Sequence, residues 1–155
     1  MNELARRVGE ALKARGLKLV TAESCTGGWV AMALTAIAGS SDWFERGYVT
    51  YSNAAKQEDL GVAGDTLRRH GAVSEESARE MAAGALKRAR AQVALAITGV
   101  AGPTGGTADK PVGLVCFAWA HGSNMVSRTS RFDGDRESVR RQSVLRALEG
   151  VLELL

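Results

Sequence analysis

The apolar positions of this chain change period several times, and each change marks an element. Leu4, Val8, Ala11 and Leu12 recur at helical spacing, so a first helix is expected there, closed by Gly16. Residues 17–22 then read as a strand. Beyond Gly27-Gly28 the stripe Val30, Leu34, Ile37 returns to the helical period, and Gly39-Ser40-Ser41 closes it. Residues 44–51 are rich in aromatic and β-branched side chains and predict a second strand. Ser52 or Asn53 is placed to cap a short helix starting near Ala54, and Asp65 to cap another that Gly71 ends. Ser74-Glu75-Glu76 opens an alanine-rich helix reaching Arg90, with acids in its first turn where the helix dipole favours them. Residues 93–98 are continuously apolar, as a central strand covered on both faces requires. Two further strands are expected at 112–120 and 125–132. Asp133-Gly134-Asp135 then introduces a last helix with Val144, Leu148, Val151, Leu152 and Leu155 along one side.

Alternating helices and strands predict the α/β class: a three-layer α/β/α sandwich with a mostly parallel central sheet. The length suits a single domain over residues 1–155. Ligands of such sheets bind beyond the carboxyl ends of the strands. Two unusual segments follow strands directly. One is residues 23–28. The other is residues 99–107, with four glycines and a proline in nine positions. Both are expected at one edge of the sheet, which makes that edge the expected site.

Composition narrows the partners. The chain is 45% hydrophobic and 24% charged, with a net charge of +3 and both signs interspersed. No basic stripe carries interleaved aromatics, so no nucleic-acid partner is expected. The short clusters Arg68-Arg69 and Arg136 to Arg141 read as solvated helix faces. No run approaches the ~20 apolar residues that span a bilayer, and the first residues lack a signal core. A cytoplasmic protein without a membrane partner is the expectation. Cys25 and Cys116 stand in different contexts with no metal-ligand spacing, and His70 and His121 stand alone, so neither a metal nor a cofactor is expected. Apolar positions taken as exposed on the last helix leave a homodimer open.

The chemistry concentrates in Thr21-Ala22-Glu23-Ser24-Cys25-Thr26-Gly27-Gly28. A strand turning into a helix exposes its turn residues, and the first helical N–H groups lack partners within the helix. Three readings follow. Ser24 or Thr26 is a helix cap. The Gly-Gly turn receives a phosphate. Or the turn presents a nucleophile and backbone N–H groups receive the oxyanion. Capping and phosphate binding are the commoner uses. A serine nucleophile needs a base. His70, at a helix end, and His121, in a turn, suit structural roles. A lysine serves if its pKa falls well below the ordinary value of about 10.4, which burial and positive potential achieve. Lys56, in the first turn of the short helix after the second strand, is placed for this; Lys18, Lys87 and Lys110 read as solvated.

Five segments in order, T-A-E-S-C-T-G-G, I-A-G-S-S-D-W-F-E-R-G-Y-V-T-Y-S-N-A-A-K, H-G-A-V-S, I-T-G-V-A-G-P-T-G-G and K-P-V-G, resemble the CinA C-terminal domain family. Members that act alone are nicotinamide-nucleotide amidases. The resemblance spans nearly the whole chain. It implies hydrolysis of the carboxamide of nicotinamide mononucleotide, giving nicotinic acid mononucleotide and ammonia, with no cofactor. By motif position the family's serine–lysine pair falls on Ser24 and Lys56. Tyr51 would orient Lys56 or relay a proton. Backbone N–H groups at Thr26, Gly27 and Gly28 would hold the oxyanion. The substrate phosphate would meet the loop after the central strand, at Thr98, Gly99, Gly102, Gly105 and Gly106, with the hydroxyls of Thr104 and Thr107. Arg136 or Arg140 would supply a cation. Cys25 is the rival nucleophile, its thiol placed at a helix N-terminus; adjacent side chains point different ways, so Ser24 is the expected nucleophile and Cys25 a small buried neighbour. The alternatives are a pyridine-nucleotide-binding module without turnover and an amidase for other small carboxamides.

Overall fold

The computed structural model describes residues 1–155, and its layers follow from how the strands divide their side chains. β1 (Leu19–Glu23) is buried at every position, and β3 (Val93–Gly99) at every position but its last. Both faces of these strands must therefore be covered. Leu19, Val93, Leu95 and Ile97 point to one side, together with Val115, Phe117 and Trp119 of β4 (Leu114–His121). That side is covered by α1 (Asn2–Ala14), α2 (Trp29–Thr35) and α6 (Arg136–Leu154). Val20, Ala22, Ala94, Ala96, Cys116, Ala118 and Ala120 point to the other. There α3 (Asn53–Leu60), α4 (Gly64–His70) and α5 (Glu75–Arg88) form the third layer. Alanines dominate this second face of β3 and β4, which lets α5 lie close to the sheet.

With the outer strands β2 (Phe44–Val49) and β5 (Asn124–Arg131), the sheet order is β2-β1-β3-β4-β5. β1 runs parallel to both β2 and β3. β4 is antiparallel to β3, and β5 to β4, so β4 alone runs against the other four strands. The expected three-layer sandwich with a parallel centre thus forms, extended by an antiparallel hairpin. The reversal has a local cause: residues 100–113 contain no crossover helix, so the chain returns beside β3. A tight turn at Gly122, with φ of 60°, then joins β4 to β5.

Several boundaries differ from the pattern. α2 ends at Thr35, and Ile37 packs on the core from the turn that follows. α5 ends at Arg88 rather than Arg90. Ser52, Ser74 and Asp135 cap α3, α5 and α6, accepting from the N–H groups of Ala55, Ser77 and Ser138. Asp65 is no cap; it lies inside α4, whose N-cap is Ala63, and it pairs with Arg68 and Arg69. Val144, Leu148 and Val151 of α6 are fully buried against the sheet, so the apolar stripe that left a dimer open faces inward. The large apolar side chains that do face solvent are Met32, Val49 and Tyr51. No helix is long and apolar enough to cross a membrane.

The three parallel strands end at one edge of the sheet. Ser24 follows β1, Thr50 and Tyr51 follow β2, and the glycine-rich loop follows β3. The two segments singled out by sequence therefore meet there.

Candidate active site

Ser24 continues the β1 ladder by one bond, its N–H donating to Ile97 O at 2.9 Å, before the chain turns. The turn closes through Gly27 N–H to Ser24 O at 2.9 Å. Gly27 and Gly28 take φ of 60° and 96°, the left-handed region that glycine enters without strain. Two charged side chains hold this turn. Glu23 is fully buried, and its carboxylate accepts from Thr26 Oγ1 at 2.7 Å, Val30 N–H at 2.9 Å and Ala31 N–H at 3.0 Å. Arg140 donates through Nε to Cys25 O and through a terminal nitrogen to Thr26 O, both at 3.0 Å. Its guanidinium also lies 5.3 Å from the centre of the Trp29 ring. The N–H groups of Val30 and Ala31 in the first turn of α2 are thus taken by Glu23, that of Trp29 goes to Thr26 O at 3.1 Å, and the carbonyls of Cys25 and Thr26 also receive Arg140. The N–H groups of Cys25, Thr26 and Gly28 donate to no acceptor of the protein.

Lys56 comes from the neighbouring strand end. It is the fourth residue of α3, and its side chain runs inward until the residue is only 2% exposed. Nζ lies 2.8 Å from Thr50 O and 3.1 Å from Ser24 Oγ. Thr50 is itself fixed by its N–H to Glu23 O at 2.9 Å, so the strand bearing the serine also positions the acceptor of the lysine. Burial pushes the Lys56 pKa below its ordinary 10.5. A thiolate at Cys25 would oppose this, yet burial pushes that thiol up to about 12, so Cys25 is uncharged at neutral pH. A neutral amine fits the geometry. One N–H goes to Thr50 O, and the lone pair is left for the hydroxyl proton of Ser24. The same environment disarms Cys25 as a nucleophile, since the thiolate is the reactive form.

Ser24 and Cys25 line a cleft of about 280 Å³ together with Tyr51, Gly102, Gly105 and Arg136. Arg136, the first residue of α6, donates to Gly102 O at 2.8 Å and to the Tyr51 hydroxyl at 2.9 Å. The expected link from Tyr51 to Lys56 is absent: the tyrosine hydroxyl meets Arg136, and the lysine meets Ser24 and Thr50. Arg140 sits behind the turn rather than in the cleft.

The glycine-rich loop divides in the same way. Gly99, Gly102, Thr104 and Gly105 line the cleft, and the N–H groups of Ala101, Gly102, Thr104 and Gly105 have no protein acceptor. Thr98 is buried and spends its hydroxyl on Ala72 O at 2.8 Å. Gly106 packs on Val112, where a Cβ would lie 2.8 Å from the valine nitrogen. Thr107 accepts the Lys110 N–H in a closed turn. His70 lies 3.6 Å from Glu76, away from the cleft, and no cluster of His, Cys, Asp and Glu side chains is arranged to hold a metal ion.

Sequence reasoning passed over Glu23 and Thr50. An acid just before a Gly-Gly helix start carries a usable signal, since carboxylates favour helix N-termini. Thr50 acts through its backbone and carries none.

Comparison with known proteins places this chain in a class. The family profile described as "CinA C-terminal domain" matches residues 1–155, and the chain belongs to that family. Among its relatives, the protein of Escherichia coli (strain K12) called nicotinamide-nucleotide amidohydrolase PncC is 57% identical over 148 residues, which cover 95% of this chain and 90% of that protein. One of the same name from Pseudomonas putida is 52% identical over 151 residues, covering 97% and 94%. The crystal structure of the competence/damage inducible protein CihA from Agrobacterium tumefaciens superposes with a TM-score of 0.96 at 50% identity, covering 99% of this chain and 94% of that one.

Proposed function

We propose that this chain hydrolyses the carboxamide of nicotinamide mononucleotide to nicotinic acid mononucleotide and ammonia, with Ser24 as nucleophile and Lys56 as general base and acid. The names of the E. coli and P. putida relatives support the reaction and the substrate. One observation supports the mechanism above the others: a lysine 2% exposed, with no carboxylate partner, 3.1 Å from a serine hydroxyl. Lysines are rarely buried without a partner, and a depressed pKa in contact with a cleft-lining serine points to a functional group.

The steps follow from the contacts. Lys56 Nζ accepts the Ser24 proton as Oγ bonds to the carboxamide carbon, and the carbonyl oxygen becomes an oxyanion. The unpaired N–H groups of Cys25, Thr26 and Gly28 receive that charge. Gly27 supplies the bend, its own N–H being spent on Ser24 O. The Lys56 ammonium gives its proton to the departing nitrogen, which leaves as ammonia. Lys56 then takes a proton from water as the water oxygen attacks the ester. Collapse of the second intermediate returns the proton to Ser24 and frees the carboxylic acid. The free N–H groups of Ala101, Gly102, Thr104 and Gly105, with the unused N–H groups of Arg136, form the phosphate end of the site. Arg140 acts on the turn and not on substrate.

Calorimetric binding beside ammonia release tests the reading. Lys56→Met is expected to bind the mononucleotide and release no ammonia. Binding by wild type without turnover would instead mark a nucleotide-binding module, and equal rates on free nicotinamide a general amidase.

A further inference from the structure

The substrate read for this site has a permanent positive charge in its pyridinium ring, and the cleft offers that charge no anion. None of the side chains around it is a carboxylate. Glu23 is one residue from Ser24, but it is fully buried and committed to three donors. An acid in the cleft would also harm the chemistry, because it would favour the ammonium form of Lys56. A cation can instead be received without charge on the face of an aromatic ring.

Tyr51 is the one aromatic side chain in the cleft wall, and it is 60% exposed. Its hydroxyl is tethered through Arg136 to Gly102 O, by bonds of 2.9 Å and 2.8 Å. The tether grips the ring by its hydroxyl edge. The guanidinium groups that do lie over aromatic rings are Arg140 on Trp29 and Arg146 on Trp119, so no arginine covers the face of Tyr51. The hydroxyl contacts neither Ser24 nor Lys56. What remains for the site is a tethered aromatic ring in the lining of the cleft that also holds Ser24, with no cation of the protein on its face.

We propose that the ring of Tyr51 receives the pyridinium ring of the substrate and so determines specificity for the cationic, oxidised form of the nucleotide. This rests on the amidase reading for its substrate. Substrate and product keep the same charged ring, so the contact is common to both and to the transition state. It therefore sets KM more than kcat.

The expected result is that Tyr51→Leu raises KM for nicotinamide mononucleotide about 10- to 30-fold, the range of a desolvated cation–π contact, with kcat changed less than about 3-fold. Tyr51→Phe keeps the ring, loses the tether and raises KM less than about 5-fold. A fall in kcat of equal size in both variants would overturn the proposal and make the hydroxyl a proton relay. Binding separates the two readings. Calorimetry on Ser24→Ala should show at least about tenfold preference for the mononucleotide over its neutral 1,4-dihydro form, and the added Tyr51→Leu change should abolish it. That outcome upholds the ring contact even if wild type releases no ammonia, in which case the amidase reading falls alone. Equal affinity for both forms, or a preference surviving Tyr51→Leu, overturns the contact and leaves the amidase reading to its own assay. Tyr51 is exposed, so thermal melting should stay unchanged and exclude misfolding as the cause.

Discussion

Lys56 is disfavoured as an ammonium where it stands, with only a carbonyl and a hydroxyl for partners. Its folded-state pKa lies below the 10.5 of an exposed lysine. Between the lowered value and 10.5, the unfolded chain binds more protons than the folded one, so stability rises with pH through that window. Below the window the destabilisation is complete. Lys56→Met is therefore expected to raise the melting temperature at neutral pH, with a gain that shrinks as the pH approaches 10.5; a variant less stable than wild type at neutral pH would contradict this. In wild type, kcat/KM should climb as Lys56 loses its proton, along a limb centred below the ordinary lysine range. Ser24 and Lys56 were legible as motif residues. The burial of Lys56 was not, because a lysine in sequence reads as a solvated cation and only the docking of α3 turns it inward. Cys25 is the buried neighbour that the sequence leads one to expect beside Ser24, and burial makes its thiol inert.

The elements supply that docking. Arg88 donates to Leu60 O, and a Cβ on Gly84 would lie 1.8 Å from the same oxygen, so α3 rests directly on the backbone of α5. Gly84→Ala forces them apart. Overpacking of this kind costs about 1–3 kcal/mol, which for a chain this size lowers the melting temperature by roughly 3–10 °C. A calorimetric scan checks it, and kcat should fall with it as Lys56 moves from Ser24. The nucleophile turn depends likewise on its clamps. Arg140→Met is expected to lower kcat about 10- to 100-fold with KM changed less than about 3-fold, since the turn carbonyls lose their donors and the oxyanion site loosens. A large rise in KM alone would instead make Arg140 a phosphate ligand. Helix starts at Ser52, Ser74 and Asp135 were readable from capping chemistry. The start of α4 was not, because its cap, Ala63, contributes no side-chain bond. The clamping by Arg140 was also hidden, because it joins residues 114 and 115 positions apart; that by Glu23 left a signal in the acid before the glycine pair.

For the whole molecule, the decisive feature is that three parallel strands end together. Sequence located that edge, since both odd segments directly follow strands. It did not reveal the reversed β4, which follows from the absence of a helix in residues 100–113, or the inward turn of the α6 stripe. The phosphate end of the cleft should make the mononucleotide a better substrate than nicotinamide riboside, with KM at least about tenfold lower. Arg136→Ala should narrow that gap, and an unchanged ratio would move the phosphate elsewhere. The most direct test of the dyad is ammonia release from nicotinamide mononucleotide by wild type, Ser24→Ala and Lys56→Met, with binding followed in parallel. Steady release by wild type and a loss of at least ~1000-fold in both variants, each still binding the nucleotide, is expected. Release by Lys56→Met at close to the wild-type rate would contradict it.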